Sequence, residues 1–242
     1  MNALGLLLVV LGFVALGAGV WLLRRGGTGW RIGRLLSAAP QRSLSQAAVI
    51  AAGGEPAYIR IHGRIDSDEE FPGDDGKPVV FRRRRLQHGA TRSGWQTFDD
   101  ERLAVPFGLT ERGERVAIDT AALGDGLVVV PRESEGVASD LSEEVVGGSL
   151  PQVPPGTPIR LRIEQVSTID HATATGVPTI GEDGSVILGP GLGRPLLLTT
   201  LEIDEAMRVL ASGHRSRLLL AVSLLVGALP VVMLGLAMVV LG

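Results

Sequence analysis

The chain has 242 residues and a formal net charge of −3, and it contains no cysteine. The lack of cysteine excludes disulfides, thiol catalysis, iron–sulfur clusters and every zinc site built on cysteine. Two runs, 1–23 and 218–242, carry no ionisable side chain. Each exceeds the roughly 20 apolar residues that a helix needs to cross a bilayer. The sequence therefore predicts a membrane protein whose first partner is the lipid bilayer.

In chain order, we predict a transmembrane helix over 1–23 and a basic juxtamembrane segment with a short helix over 24–54. Ser43 is the expected N-cap of that short helix. A β-rich domain is predicted over 55–213, and a second transmembrane helix over 218–241. The expected fold is a membrane-anchored α+β protein, with a predominantly antiparallel β domain between two transmembrane helices.

Within the β-rich domain, alternation of apolar and polar residues over 58–65 predicts a half-buried strand. A last helix is expected over 201–212, and the Pro- and Gly-rich segment 133–158 is expected to be an exposed loop or lid. Glu182-Asp-Gly184 is a typical hairpin turn. Further β-type runs bounded by turn residues are 79–86, 95–105, 115–119, 127–130, 159–166, 172–177, 185–188 and 195–199.

Charge is strongly segregated along the chain. All 26 acidic residues lie between Glu55 and Glu205, where there are 15 basic residues, so this stretch carries −11. The remaining eight bases are arginines that flank the two apolar runs on the sides facing the domain. By the positive-inside rule, the domain is predicted to be cytoplasmic with both termini outside. Such an acidic domain is a poor nucleic-acid binder, so no nucleic-acid partner is expected.

Small residues in the first apolar run allow two interpretations. Gly12, Ala15 and Gly19 fall near one helical face, which is typical of a packing seam with the second helix or with another copy of the chain. The alternative is that glycine and alanine are simply common in membrane helices. Pro230 in the second run is expected to kink that helix without preventing it from spanning.

The densest basic run is Arg82, Arg83, Arg84 and Arg85. In a strand, alternation would place Arg82 and Arg84 on one face and Arg83 and Arg85 on the other. Guanidinium groups suit phosphate oxygens, so these four residues are the candidate contact for an anionic ligand, a lipid headgroup or a partner. The alternative, which we favour, is pairing across strands with the surplus carboxylates of the domain.

Other patterns give no predicted catalytic, cofactor or metal site. The acidic residues from Asp66 to Asp75 lack the spacing of a helix–loop–helix calcium site. The Gly189–Gly193 segment precedes a β-type run, whereas a phosphate-binding loop opens a helix. His171 beside Asp170 and His62 near Asp66 resemble acid–base pairs, but no serine nucleophile in a suitable turn accompanies them.

Five segments in order resemble a known family. They are Ala57-Tyr-Ile-Arg-Ile-His-Gly-Arg-Ile65, Phe81-Arg-Arg-Arg-Arg-Leu86, Leu103-Ala-Val-Pro-Phe-Gly-Leu109 after Trp95, Val177-Pro-Thr-Ile-Gly-Glu-Asp-Gly-Ser-Val-Ile-Leu188 and Pro195-Leu-Leu-Leu-Thr-Thr-Leu-Glu-Ile-Asp-Glu205. This arrangement is similar to the GIDE, or beside-a-membrane (BAM), domain of membrane-anchored mitochondrial ubiquitin ligases and of many prokaryotic proteins. The 22 arginines against one lysine favour a prokaryotic protein.

The resemblance implies a scaffold that positions an unidentified protein partner beside the membrane. In the eukaryotic ligases a RING follows the domain, and a chain without cysteine cannot fold one. We therefore expect a non-catalytic, membrane-anchored interaction module. The alternatives are a protein similar to E3 ubiquitin ligases whose RING is missing or supplied in trans, and a hydrolase acting near the membrane.

Overall fold

The structure is a computed structural model that describes residues 3–73, 76–90, 94–140, 154–212 and 215–241. Its helices are α1 (Ala3–Ala38), α2 (Leu44–Gly53), α3 (Ile203–Ser212) and α4 (Arg215–Leu241). The chain divides into a helical unit, 1–37 with 203–242, and a β unit, 38–202. The fold is α+β and its regular structure outside the helical unit is dominated by strands, as predicted.

The first helix of the helical unit is longer than the sequence pattern suggested. α1 has 36 residues and continues to Ala38, whereas we expected a helix ending at residue 23 followed by a separate juxtamembrane segment. Residues 24–38 contain no proline, and Pro40 follows the last turn, so the helix continues through the charged segment and ends just before that proline. At a rise of 1.5 Å per residue, a helix of this length reaches about 54 Å, well beyond the hydrocarbon core of a bilayer.

Among the described residues, one helix is long and apolar enough to cross a membrane. It is the part of α4 from Val222 to Val239, with a mean hydropathy of 2.5. The apolar part of α1, Gly5–Trp21, falls short of that length. Pro230 lies inside α4 and the helix continues past it, as expected for a proline in an apolar span.

Small residues bring α1 and α4 close together. Gly5 faces Gly235, and an added Cβ at Gly5 would lie 3.0 Å from the Gly235 carbonyl oxygen. An added Cβ at Gly12 would overlap Val232 Cγ2 and lie 3.3 Å from the Ala228 carbonyl oxygen. Gly12 therefore contributes to a packing seam with the second helix, as the first of the two interpretations proposed.

The β unit contains twelve described strands, of which β6–β11 and β7–β12 are parallel pairs and the other pairings are antiparallel. The strands are β1 (Ile59–Asp66), β2 (Phe71–Pro72), β3 (Pro78–Ala90), β4 (Gly94–Ala104), β5 (Gly108–Glu111), β6 (Glu114–Ile118), β7 (Leu127–Val128), β8 (Arg132–Val137), β9 (Pro158–Ser167), β10 (His171–Ile180), β11 (Val186–Gly189) and β12 (Leu197–Thr199).

One sheet has the order β1-β5-β6-β11-β10-β12-β7, and β1 also pairs with β10. That extra pairing closes β1, β5, β6, β11 and β10 into a small barrel. Alternate residues of β1 point inward: Ile59, Ile61 and Ile65 are buried, as the alternation predicted. The barrel interior continues the same apolar cluster through residues such as Phe107 and Leu188.

The second sheet, here called the side sheet, runs β2-β3-β9-β8, with β4 pairing β3. Leu86 and Ile159 form a separate small core on one of its faces, with Phe98 packed beside them. α2 covers part of the barrel core through Leu44 and Ala47. As predicted, Ser43 caps this helix: its Oγ accepts from the Gln46 amide at 3.2 Å, and the Gln46 side chain accepts in return from the Ser43 amide.

The structure corrects one loop prediction and confirms one turn prediction. Residues 133–158 contain β8 and a 3₁₀ turn, Ala138–Asp140, so their first part belongs to the side sheet, while 141–153 lie outside the described residues. β8 has no buried residue to give a periodic signal, since it is an edge strand of charged side chains. The hairpin at Glu182-Asp-Gly184 is confirmed, with Ile180 opposite Val186 and Gly184 at φ +80°.

Candidate functional site: the arginine strand

The run of four arginines lies on β3, in the middle of the side sheet, and its side chains alternate as predicted. Arg83 and Arg85 bind carboxylates on one face, and Arg84 binds Glu101 on the other at 3.0 Å. Arg82 lies over the Phe71 ring, with its guanidinium carbon 5.7 Å from the ring centroid. The structure therefore splits the apparent basic patch between two faces of one sheet.

Arg83 is the best satisfied of the four arginines. Its Nε and Nη2 donate to the two carboxylate oxygens of Asp100 at 2.8 and 2.6 Å, and its Nη1 donates to Asp125 Oδ1 at 2.8 Å. The Arg83 side chain is 8 % exposed. Hydrogen bonding to Asp100, then to Asp125, raises the pKa of the Arg83 guanidinium. The same bonds hold the pKa values of both carboxyl groups below their usual range.

Arg85 belongs to a second set of pairs centred on Glu164, whose side chain is 7 % exposed. Arg85 Nη2 donates to Glu164 Oε1 at 2.6 Å, and Arg162 donates to the same oxygen at 3.1 Å through Nε. Burial lowers the pKa of the Arg85 guanidinium, and the charge of Glu164 opposes that effect. The buried Glu164 carboxylate thus accepts charge-assisted hydrogen bonds from two guanidinium groups.

The pairs continue across β9 to the edge strand. Arg162 also lies 3.3 Å from Glu133, and Arg160 donates to Glu135 at 2.7 Å. The Arg160 guanidinium carbon lies 4.3 Å from the centroid of the Trp95 ring, a cation–π contact. We call this surface the ion-pair face; its charged members are Arg83, Arg85, Arg102, Arg160, Arg162, Asp100, Asp125, Glu133, Glu135 and Glu164.

The ion-pair face carries equal numbers of opposite charges and holds them in contact with each other. Guanidinium groups that already have carboxylate partners would have to give them up to bind a phosphate. The geometry therefore favours cross-strand pairing over an anionic ligand for Arg83, Arg84 and Arg85. The surface is charge-compensated, and its exposed members can make polar contacts with a protein.

The other sequence candidates are placed differently from what their motifs suggested. Asp66 and Asp68 lie 3.5 and 3.7 Å from Arg115, so both carboxylates form ion pairs with an arginine of the same chain. Asp74 and Asp75 lie outside the described residues. The Gly189–Gly193 segment contains a reverse turn in which Gly191 and Arg194 bond to each other. In the described part of the chain, no group of three His, Asp or Glu is arranged to hold a metal ion.

The two histidines considered as acid–base partners meet each other. His62 and His171 have ring centroids 5.8 Å apart at an interplanar angle of 14°. Asp170 accepts from the Ser167 amide at 3.2 Å. The sequence predicted a half-buried strand for His62 and began the later strand at residue 172, just after His171. The pairing of β1 with β10 is what brings the two side chains together.

Comparison with known proteins gives no match: no family model, no curated protein and no solved structure matches this chain.

Proposed function

We propose that this chain is a two-pass integral membrane protein whose β unit is a non-catalytic interaction module. The observation that carries the proposal is the outward exposure of apolar side chains along the long helices. On α4, Val226 and Met233 are 65 % and 67 % exposed, and on α1, Phe13 and Val14 are 61 % and 65 % exposed. Water would not stabilise such surfaces, whereas lipid chains do.

Both helices of the pair are assigned to the membrane in this proposal. Gly5, Gly12 and Gly235 pack α1 directly against α4, so the apolar stretch of α1 lies beside the candidate span. The seam also borders a cavity of about 340 Å³ with an apolar lining that includes Leu11 and Val231. A helix packed in this way beside a bilayer-crossing partner is most stable inside the bilayer with it.

The arginines beside the two apolar runs support a cytoplasmic location for the β unit, with both chain termini outside. All eight bases outside 55–205 flank the runs on the domain side. An extracytoplasmic reporter fused after Gly242 should be active, and a cytoplasmic reporter at the same position should be inactive. The opposite pattern would reverse the proposed orientation.

The interaction role is supported by the ion-pair face and by the resemblance to GIDE domains. The face extends over β4, β3, β9 and β8, of which β4 and β8 are edge strands, and its exposed members include Glu135, 62 % exposed at the side chain. A partner protein can bind there through side-chain pairs or by adding a strand to an edge. Its net charge is balanced, so recognition would depend on the order of charges more than on their sum.

Membrane insertion is tested by replacing Leu229, which is 61 % exposed on α4, with arginine. Arg at the centre of a span costs about 2.5–3.5 kcal/mol of insertion free energy. The Leu229→Arg chain should shift from the alkali-resistant membrane fraction towards the soluble or degraded fraction. Leu103→Arg is the matched control, since Leu103 is 43 % exposed on β4. Equal behaviour of the two variants would contradict membrane insertion of α4.

The interaction role is tested by site-specific photocrosslinking in intact cells. A photoreactive residue at Glu135 or at Arg102, 42 % exposed at the side chain, should give a discrete protein adduct. A photoreactive residue at Glu182, in the exposed β10–β11 turn, is the matched control. Equal labelling at all three positions, together with turnover of a defined ester or peptide by the purified chain, would contradict the interaction module and favour an enzyme.

A further inference from the structure

A cluster of basic side chains lies on the outward face of the barrel, away from the ion-pair face. His62 and Arg64 occupy successive exposed positions of β1, between the inward-facing Ile61 and Ile65. Arg64 lies opposite His171 in the register of β1 and β10, and His62 lies opposite Thr173. His62, Arg64 and His171 are therefore neighbours on one surface, here called the His–Arg cluster.

The two imidazoles in the cluster are held in a defined arrangement. Their rings stack at 5.8 Å between centroids and 14° between planes. His62 Nδ1 lies 3.2 Å from Thr173 Oγ1, so one nitrogen of that ring has a hydrogen-bond partner in the protein. Among the described residues, none is hydrogen-bonded to the Nε2 atom of His62, whose side chain is exposed.

The cluster differs from the arginine strand in its lack of carboxylate partners. In the part of the chain that the structure describes, Arg64 has neither an ion pair nor a side-chain hydrogen bond, although the stretch 55–205 carries −11. Arg83, Arg84 and Arg85 each have a carboxylate within 3.0 Å. Arg64 thus has no carboxylate partner among the described residues and lies beside two imidazoles, although the domain is strongly acidic. This local excess of basic groups favours the binding of an anion from outside the protein.

The carboxylates nearest to the cluster in sequence, those of Asp66 and Asp170, each have a partner within the protein. On β1 the flanking residues are Arg60 and Asp66, and Asp66 lies 3.5 Å from Arg115 of β6. Asp170, next to His171, accepts from the Ser167 amide. The remaining neighbours by strand register are uncharged or basic: Thr110 of β5, Thr173 of β10, Thr199 of β12, and Gln41 and Arg42 in the segment beside β1.

We propose that His62, Arg64 and His171 form a binding site for a phosphate group. The planar fork of Arg64 matches two oxygens of a tetrahedral oxoanion. Each imidazole can add an N–H donor, which at His62 requires the proton on Nε2 while Nδ1 accepts from Thr173 Oγ1.

The test uses the full chain in a non-ionic detergent, with histidine side chains labelled for NMR. Inorganic sulfate is the probe, because it is a tetrahedral oxoanion that remains a dianion from pH 6 to pH 8. Its own charge therefore stays constant between experiments. Sulfate at constant ionic strength should shift the His62 and His171 signals in a saturable way and leave His88 unchanged.

Substitutions separate a built site from general attraction to a basic surface. Arg64→Gln should weaken sulfate binding about tenfold, and Arg64→Lys should recover part of it, since lysine keeps the charge and loses the fork. Arg112→Gln is the matched control at another exposed arginine. The proposal is wrong if sulfate shifts are linear, if they affect His88 equally, or if Arg64→Gln binds like the unaltered chain.

A second arm identifies the source of the phosphate. The chain is placed in nanodiscs of phosphatidylcholine alone or with phosphatidylglycerol, without free oxoanion. Shifts of His62 and His171 that require phosphatidylglycerol assign the site to a lipid headgroup. Shifts that appear in both discs only after sulfate is added assign it to a soluble phosphate compound. No shift under any of these conditions overturns the site.

Discussion

Arg83 and Asp100 form a two-point ion pair across β3 and β4, with the guanidinium Nε and Nη2 bound to the two oxygens of one carboxylate at 2.8 and 2.6 Å. In the strand register Asp100 lies opposite Arg85, so this contact is diagonal. Asp125, from the loop between β6 and β7, accepts a further hydrogen bond from the Arg83 guanidinium. One side chain therefore joins two strands and a distant loop.

Replacing Arg83 should be costly, because it removes a guanidinium that is 8 % exposed and deprives Asp100, 32 % exposed, of its two-point partner. We expect Arg83→Gln to lower the free energy of unfolding of the β unit by about 3 kcal/mol. This exceeds the cost of at most about 1 kcal/mol expected for an arginine that pairs only at the surface. Denaturant unfolding of the full chain in detergent, followed by near-ultraviolet circular dichroism, measures the difference.

The matched control for Arg83 is Arg115→Gln. The Arg115 side chain is 43 % exposed and lies 3.5 Å from Asp66, so its loss should cost less than about 1 kcal/mol. Similar losses for both variants would show that the burial of Arg83 contributes nothing to its pairing.

The ion pairs of Arg83 also predict an acid limit to stability. Hydrogen bonds from Arg83 lower the pKa values of Asp100 and Asp125 in the folded chain. The stabilisation of the fold by these two ionised carboxylates is fully present above about pH 3.9, the ordinary pKa of aspartate. It is lost as pH falls through the lowered pKa values of Asp100 and Asp125. Thermal unfolding between pH 5 and pH 2 should show a steep decline that Asp100→Asn makes shallower. An identical decline in that variant would contradict the assignment.

Tyr58 is the single tyrosine of the chain, so its ionisation can be followed directly. Its hydroxyl donates to the Pro195 carbonyl oxygen at 2.7 Å, and burial raises its pKa to about 12. The pKa of Tyr58 is raised in the folded chain, so the neutral Tyr58 side chain stabilises the fold below about pH 10, the ordinary pKa of tyrosine. This stabilisation is lost as pH rises through 12. Phenolate absorbance near 295 nm should therefore appear near pH 12. A transition near pH 10 in the folded chain would contradict the buried hydrogen bond.

The packing of α1 against α4 can be tested by cysteine crosslinking without background, because the chain has no cysteine of its own. An added Cβ at Gly235 would lie 2.9 Å from Val9 Cγ2 and from two backbone atoms, the Val9 nitrogen and the Gly5 carbonyl oxygen. After the small separation of the helices that this Cβ requires, Val9→Cys with Gly235→Cys should form an intrachain disulfide on mild oxidation. Val9→Cys with Leu229→Cys is the control, since Leu229 is 61 % exposed. Equal crosslinking of both pairs, measured by mass after alkylation, would contradict the seam.

Much of the local structure could be predicted from the sequence. The alternation that buries Ile59, Ile61 and Ile65 and separates Arg83 from Arg84 follows from the two-residue period of a strand. The Ser43 cap and the Gly184 turn follow from side-chain and backbone chemistry within a few residues. Short edge strands such as β2 and β8 could not be predicted in this way, because burial imposes no pattern on them.

The sequence by itself determined the two long uncharged runs, the segregation of charge and the faces of the principal strands, because these depend on neighbours along the chain. Only the tertiary structure decided which carboxylate each arginine meets and that His62 lies against His171. Those contacts depend on the register between strands far apart in sequence and on the pairing of β1 with β10 that closes the barrel. That register is set by the packing of the whole apolar core, which no local pattern contains.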